Sequence, residues 1–198
     1  LGRQEKMALH FVNPRMRKAY PWKKLSVTNI NDGALDDPGW VASPEMWILL
    51  SKRITKSACP TAAYFGKLDC LKWLHENGCP WNEKTCMYAA RGGHLECLKW
   101  ARENGCPWDG MTTALSVRGG HLECLKWARE NGCPWDELTC AFATKGGHLE
   151  CLKWARENGC PWSVWTCAEA AGDGHLECLK WARENGCPWD EWTCEYAA

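Results

Sequence analysis

The sequence predicts an all-α solenoid built from stacked helix–turn–helix units, and three observations support this fold class. The string HLECLKWARENGCPW occurs four times without a substitution, beginning at His94, His121, His148 and His175. The copies are evenly spaced, and a drifted copy, KLDCLKWLHENGCPW, begins at Lys67 in the same register. Each unit also carries an amphipathic helical pattern that ends in glycine. Because so short a unit cannot bury its own apolar face, the units must stack on one another.

The first element along the chain is a segment without repeats, residues 1–42. We expect a basic, largely irregular arm there, because prolines and glycines interrupt it at Pro14, Pro21, Gly33, Pro38 and Gly39. Residues 43–54 follow and begin with Ser-Pro-Glu, which is typical of an N-cap, a first helical proline and an acidic first turn. We therefore expect a capping helix over 43–54 that covers the first repeat.

The charge of the chain is divided unevenly between the arm and the rest. Net charge is zero, with 24 basic and 24 acidic residues, but residues 1–24 hold seven basic residues against one acidic residue. The candidate binding residues of this arm are Arg15, Arg17, Lys18, Lys23 and Lys24. Such an arm could bind an acidic protein surface, a membrane or a nucleic acid, and a solvated tail is the open alternative.

The repeat unit is predicted to contain two helices, as residues 136–160 illustrate. Asp136 is suited to the N-cap of a short first helix over 137–145, and Gly146-Gly147 ends that helix. His148 opens the second helix, in which Leu149, Leu152 and Ala155 share one face. Asn158-Gly159 ends the second helix, and Pro161 prevents it from restarting.

The fifteen cysteines do not have the spacing of a disulfide framework. Most recur in register, so equivalent sulfurs lie on neighbouring helices that pack roughly 8–10 Å apart, too far for a disulfide that needs Cα atoms within about 7 Å. The pattern favours small buried thiols and hence an intracellular, reducing compartment. Cytoplasm or nucleus is the default expectation, and a plastid is the open alternative. No apolar run is long enough to span a membrane.

These units resemble ankyrin repeats, and the resemblance rests on two stretches. GHLECLKWARENGC is similar to the second ankyrin helix, G-H-x-x-V-V-x-L-L-L-x-x-G-A, and WTCAEAAGDGH at 165–175 is similar to T-P-L-H-x-A-A-x-x-G-H. The period is shorter, about 27 residues against the roughly 33 of an ankyrin repeat. The missing residues fall where ankyrin repeats build a β-hairpin finger. The resemblance therefore implies a right-handed stack over 55–198, with about five repeats plus a partial last one and with fingers shortened or absent. Similar arrays, rich in Trp and Cys, occur in ankyrin-like families of marine algae and large viruses.

The recurrent Trp, His and Cys residues are predicted to be structural. Five Trp residues lie on second helices, and five more each follow the proline of a repeat. This pattern favours interlocking packing. A zinc site needs four ligands, and the His-x-x-Cys spacing offers two. We expect no cofactor, no metal and no catalytic site, since no phosphate loop, paired-carboxylate site or nucleophile elbow is visible. Ligand or metal binding through the Trp and Cys rows is kept as the weaker alternative.

The first helices differ between repeats although the second helices of the four exact copies are identical. The resemblance implies that first helices contact partners. The candidate partner-binding residues are Glu83, Lys84, Tyr88, Arg91, Met111, Leu115, Arg118, Glu137, Leu138, Phe142, Lys145, Val164, Trp165, Glu169 and Trp192. The sequence therefore predicts a non-enzymatic scaffold or adaptor that binds a protein through this face. It names no partner, and the acidic body opposes nucleic acid. Two alternatives stay open: neutral drift at these positions, and a structural linker subunit within a large assembly, for example in a plastid.

Overall fold

The computed structural model describes residues 57–196, which are helical throughout apart from turns and short loops and contain no strand. The predicted arm over 1–42 and the predicted capping helix over 43–54 lie outside the described residues. The helices are α1 (Ala58–Tyr64), α2 (Leu68–Glu76), α3 (Glu83–Arg91), α4 (Leu95–Glu103), α5 (Gly110–Arg118), α6 (Leu122–Glu130), α7 (Glu137–Lys145), α8 (Leu149–Glu157), α9 (Val164–Gly172), α10 (Leu176–Glu184) and α11 (Glu191–Tyr196).

The helices form five antiparallel pairs, and α11 opens a sixth unit. The first helices α1, α3, α5, α7, α9 and α11 pack directly on one another from repeat to repeat, and each second helix packs on the first helix of its own repeat. The second helices contact each other far less. This arrangement confirms the predicted all-α solenoid. It also makes the first helices the continuous layer of the array.

The ends of the helices follow the local chemistry that the sequence predicts. Asp136 caps α7, because its Oδ1 accepts a hydrogen bond from the backbone N–H of Leu138 at 3.0 Å. Asp109 caps α5 in the same way through Met111, also at 3.0 Å. Gly147 follows α7 with a φ of 71°, a left-handed conformation that glycine adopts without steric cost. The predicted first helix over 137–145 is therefore confirmed at both ends.

The core is made of small residues and leucine. Four leucines of the second helices are fully buried, with an exposed fraction of 0% at Leu71, Leu98, Leu125 and Leu152. The cysteines that follow α4, α6, α8 and α10 are also buried, and each thiol donates to the carbonyl at the start of the first helix of the same repeat. These bonds join Cys106 to Asn82 at 3.3 Å, Cys133 to Asp109 at 3.3 Å, Cys160 to Asp136 at 3.4 Å and Cys187 to Ser163 at 3.5 Å. Each thiol thus ties the returning loop to the first helix of its own repeat.

The tryptophans link neighbouring repeats in the place where an ankyrin finger would project. Trp108, which follows a proline, lies edge-on to Trp127 on the next second helix, with ring centroids 5.8 Å apart. The Arg102 guanidinium lies over the Trp108 ring, with its central carbon 4.6 Å from the ring centroid. The same pair of contacts recurs in the next two repeats. The short Pro-Trp loop therefore supplies an inter-repeat contact of its own, worth about 0.5–1.5 kcal/mol for each aromatic pair.

Candidate interaction face

An apolar stripe runs across the N-terminal ends of consecutive first helices. It consists of Met111 on α5, Leu138 on α7 and Trp165 on α9, which occupy the same position in their repeats. Leu138 is 42% exposed and Trp165 is 50% exposed, whereas Met111 is half-buried. Val164 beside Trp165 is half-buried as well. We call Met111, Leu138 and Trp165 the apolar stripe.

Carboxylates border this stripe because of how the first helices begin. Asp109 and Asp136 are the N-caps of α5 and α7, so each carboxylate is held two residues before a member of the stripe. Glu137, exposed at the first position of α7, adds a third carboxylate. We call Asp109, Asp136 and Glu137 the acidic rim. The rim does not continue to α9, where Ser163 stands at the cap and makes no side-chain capping bond.

The acidity of the array comes entirely from the segments that contain the first helices. Each fifteen-residue second-helix string holds two basic and two acidic residues and is electrically neutral. Between residues 82 and 196, the segments that separate these strings hold nine acidic and four basic residues. The repeated strings are thus neutral, and the variable segments carry the field that an approaching partner would sense.

A second group of variable residues pairs across the repeat boundaries. The two members of each pair have the same separation in sequence, and each pair joins the C-terminal end of one first helix to the middle of the next. Tyr64 meets Tyr88 with ring centroids 6.1 Å apart, the Arg118 guanidinium lies 5.7 Å from the Phe142 ring centroid, and Lys145 Nζ donates to Glu169 Oε2 at 2.6 Å. Asp173 lies 4.0 Å from the same ammonium group. The sequence analysis did not predict these pairs. The sequence does show the signal, because residues of complementary chemistry recur at this constant separation.

The structure therefore divides the predicted partner-binding residues into two groups. Lys84, Glu137, Leu138, Trp165, Arg91 and Arg118 are exposed, and Glu83, Tyr88, Met111, Phe142, Lys145, Val164 and Glu169 are half-buried. Leu115 is only 7% exposed, so it packs between repeats and we leave it out of the surface. The side chain of Trp192 and the arm residues Arg15, Arg17, Lys18, Lys23 and Lys24 fall outside what the structure describes.

The histidines tie successive repeats together. His175 Nε2 donates to the carbonyl of Lys145 in the preceding repeat at 3.1 Å. His94 and His121 are hydrogen-bonded to the backbone of Tyr64 and Arg91, and burial lowers the pKa of both imidazoles. This geometry gives His94, His121 and His175 a structural role at the start of the second helices, as the sequence predicts.

The chemistry of the thiols is that of packed side chains. Burial raises the pKa of Cys97, Cys124 and Cys151 to about 11, and that of Cys133 to about 12. Since the thiolate is the nucleophile and the metal ligand, these groups are inert near neutral pH. Within residues 57–196, no group of three or more His, Cys, Asp and Glu side chains is placed to hold a metal ion.

Comparisons with known proteins agree with this architecture. The family model described as ankyrin repeats (many copies) matches residues 59–102. Among solved structures, the human ASB11 ankyrin repeat domain is similar to this chain with 23% sequence identity and a TM-score of 0.57. The similarity covers 71% of this chain and 76% of that domain. No curated protein matches the chain. In the described part of the chain, every helix is too short or too polar to cross a membrane.

Proposed function

We propose, from the premise that the chain is a divergent ankyrin-repeat protein, that its first-helix face binds a protein partner and catalyses no reaction. Ankyrin repeats are generally protein–protein interaction modules. The structure describes a continuous layer of first helices with residues that differ from repeat to repeat. A layer of this kind gives one asymmetric surface, which is what recognition of one particular partner requires.

The observation that carries the proposal is the exposure of Leu138 and Trp165. Both lie at the same position of adjacent first helices, and they are about half exposed in an array whose other described first-helix apolar residues are buried or half-buried. Contiguous exposed apolar side chains on a folded protein mark interaction surfaces. Truncating a tryptophan at the centre of an interface commonly removes about 2 kcal/mol or more of binding free energy, so Trp165 is the expected anchor.

The cysteine geometry supports a reducing compartment for this function. The thiols of Cys106, Cys133 and Cys160 each donate to a backbone carbonyl within their own repeat. Oxidation would remove the S–H donor and enlarge a side chain that is fully buried. We therefore propose that the array works where thiols stay reduced, in the cytoplasm, the nucleus or a plastid.

The decisive experiment is affinity capture from the native source with two matched double variants. Leu138→Ser with Trp165→Ser removes the exposed part of the stripe. The control, Leu176→Ser with Trp189→Ser, removes side chains that are 56% and 43% exposed but lie on α10 and the loop after it. Partners identified by mass spectrometry should be lost from the first variant and kept by the control, with unchanged helical circular dichroism in both. Equal capture by the two variants would contradict the proposal.

A further inference from the structure

We propose that the partner segment is basic and apolar: it carries one large apolar side chain and has Lys or Arg about three and about six residues away from it. This inference rests on the proposed function, because it names the chemistry of the partner at the same face. The apolar side chain packs on Leu138 and Trp165, and the cations pair with the acidic rim formed by Asp109, Asp136 and Glu137.

The order of apolar and acidic residues along the first helices gives the segment a direction. At α9 the exposed side chain is Trp165, with Val164 next to it and Ser163 at the cap, so no carboxylate borders the stripe there. At α7 the exposed Leu138 is flanked by Asp136 and Glu137, and at α5 Asp109 borders Met111. From α9 towards α5 the surface therefore changes from apolar to acidic, and Asp190 and Glu191 at the start of α11 place further carboxylates on the other side of α9. A partner that lies along α9, α7 and α5 meets Trp165 first and the acidic rim one and two repeats away.

The spacing of the cations follows from the spacing of the repeats. Packed helices lie roughly 8–10 Å apart, so Asp136 and Asp109 lie about one and two such steps from the apolar end. An extended chain covers about 3.3 Å per residue. One repeat therefore corresponds to about three residues of partner and two repeats to about six.

The carboxylates of the rim keep the capacity to bind a cation. The Oδ1 atom of each capping aspartate accepts a hydrogen bond from a backbone N–H of its helix. The second carboxylate oxygen can therefore accept from a donor on the partner. The helix N-terminus contributes about half a positive charge, which is less than the full negative charge of one carboxylate. At α7, where Asp136 and Glu137 are adjacent, the net field favours Lys or Arg and repels phosphate.

The basic residues of α5 and α7 do not cancel this field at the rim, whereas on α3 the exposed Lys84 takes the place that Met111 has on α5. Arg118 and Lys145 lie at the C-terminal ends of α5 and α7, about 13 Å from the capping residues at a rise of ~1.5 Å per residue. Arg118 is held over the Phe142 ring, and Lys145 is paired with Glu169. The two ends of α5 and of α7 therefore carry opposite charge, and Met111 and Leu138 lie at the acidic ends.

The test is selection from a random peptide library displayed on phage, with the full chain as bait. We expect the peptides that bind to carry a net positive charge, one Trp, Phe, Leu or Met, and Lys or Arg enriched about three and about six residues from it. An enriched synthetic peptide is then titrated against three proteins: the unchanged chain, the triple variant Asp109→Asn, Asp136→Asn and Glu137→Gln, and a control with the same charge change on the second helices, Glu103→Gln, Glu130→Gln and Glu157→Gln. Asparagine caps a helix about as well as aspartate, so the rim variant keeps its fold.

The affinity of the peptide should fall about tenfold in the rim variant and stay within twofold in the control, since the exposed pairs that two cations make with the three carboxylates are together worth about one factor of ten. Binding to the unchanged chain should weaken with added NaCl, and this dependence should be smaller in the rim variant. Enriched peptides that are neutral or acidic, or binding of single-stranded DNA in place of peptides, would overturn the inference.

The experiment separates this inference from the proposed function. Peptides that lose affinity in the variant Leu138→Ser with Trp165→Ser but show no charge preference would leave the proposed function standing and refute the basic partner. Peptides that bind this variant as well as the unchanged chain would refute both.

Discussion

The residues that recur in every repeat act mainly on backbone groups. In the repeat that contains α7 and α8, the thiol of Cys160 donates to the carbonyl of Asp136, and Asn158 Nδ2 donates to the carbonyl of Trp154 at 2.8 Å. His175 of the following repeat donates to the carbonyl of Lys145. The carbonyl of Lys145 lies at the C-terminal end of α7, where helix geometry leaves it without a backbone donor, and a buried carbonyl in that state costs about 1–3 kcal/mol. The carbonyls of Asp136 and Trp154 already accept the backbone N–H groups of Thr139 and Asn158, so the side chains add a second hydrogen bond there.

A comparison of two glycines tests whether the bond of His175 to the carbonyl of Lys145 stabilises the stack. Gly147 and Gly159 both have positive φ, at 71° and 85°. A Cβ at Gly147 would lie 2.5 Å from His175 Nδ1, whereas a Cβ at Gly159 would meet nothing within 4 Å. Gly159→Ala should cost about 1–2 kcal/mol through backbone strain alone. Gly147→Ala should cost about 1 kcal/mol more, because the displaced imidazole loses its bond to Lys145.

Urea unfolding monitored by circular dichroism measures this difference. Equal losses of unfolding free energy in the two variants would show that the imidazole can be displaced without loss of stability. The histidine would then not stabilise the contact between repeats. The Gly159→Ala protein serves as the control, since it carries the same change in backbone freedom.

At the scale of the helix, the variable residues of the first helices have two different tasks. Those at the N-terminal ends, such as Leu138 and Trp165, face solvent. Those in the middle and at the C-terminal ends meet the next first helix, where the contact is aromatic at Tyr64–Tyr88, cation–π at Arg118–Phe142 and ionic at Lys145–Glu169. Because α4, α6, α8 and α10 have identical sequences, these contacts distinguish one boundary from another among the exact copies.

Charge reversal at one boundary tests this pairing. Lys145→Glu and Glu169→Lys should each destabilise the array, because each places like charges where the ammonium and carboxylate now meet at 2.6 Å. The double reversal should recover most of the loss. The side chains are 33% and 25% exposed, so the coupling free energy in a double-mutant cycle should be about 0.5–1 kcal/mol. Additive losses would contradict the pairing, and the residual contact of Asp173 with residue 145 should make the recovery incomplete.

At the scale of the whole molecule, the fold was predictable from the sequence because the repeat supplies its own register. The helix ends at Asp136 and Gly147 follow from capping and glycine chemistry that acts within a few residues. The surface was less predictable. Leu115 and Leu138 look alike as leucines on first helices, yet one is 7% and the other 42% exposed, which depends on helix rotation and on the adjacent repeat. The pairing of Lys145 with Glu169 is likewise a tertiary contact between different repeats.

The half-buried imidazoles of His94 and His121 make the stability of the array depend on pH. Burial lowers the pKa of His94 and His121 below the ordinary value of 6.5, and the positive charges of neighbouring groups act in the same direction: Lys67 for His94, and His94 and His148 for His121. The unfolded chain therefore binds more protons than the folded chain as the pH falls below 6.5. This contribution to stability is fully present above that pH and is lost as the pH falls through 6.5 towards the lowered pKa values.

The charge of His94 contributes to the lowered pKa of His121, so the two imidazoles act on neighbouring boundaries of the same stack. We expect the urea midpoint to be lower at about pH 5.5 than at about pH 7.5, a window that lies above the usual titration of carboxylates. In the variant His94→Gln with His121→Gln, glutamine can still donate to the carbonyls but has no charge to gain, so the midpoint should vary less over this window. A midpoint that falls equally in both proteins would show that other groups govern the acid response, and a midpoint that rises on acidification would contradict the buried, neutral histidines on which the stacking depends.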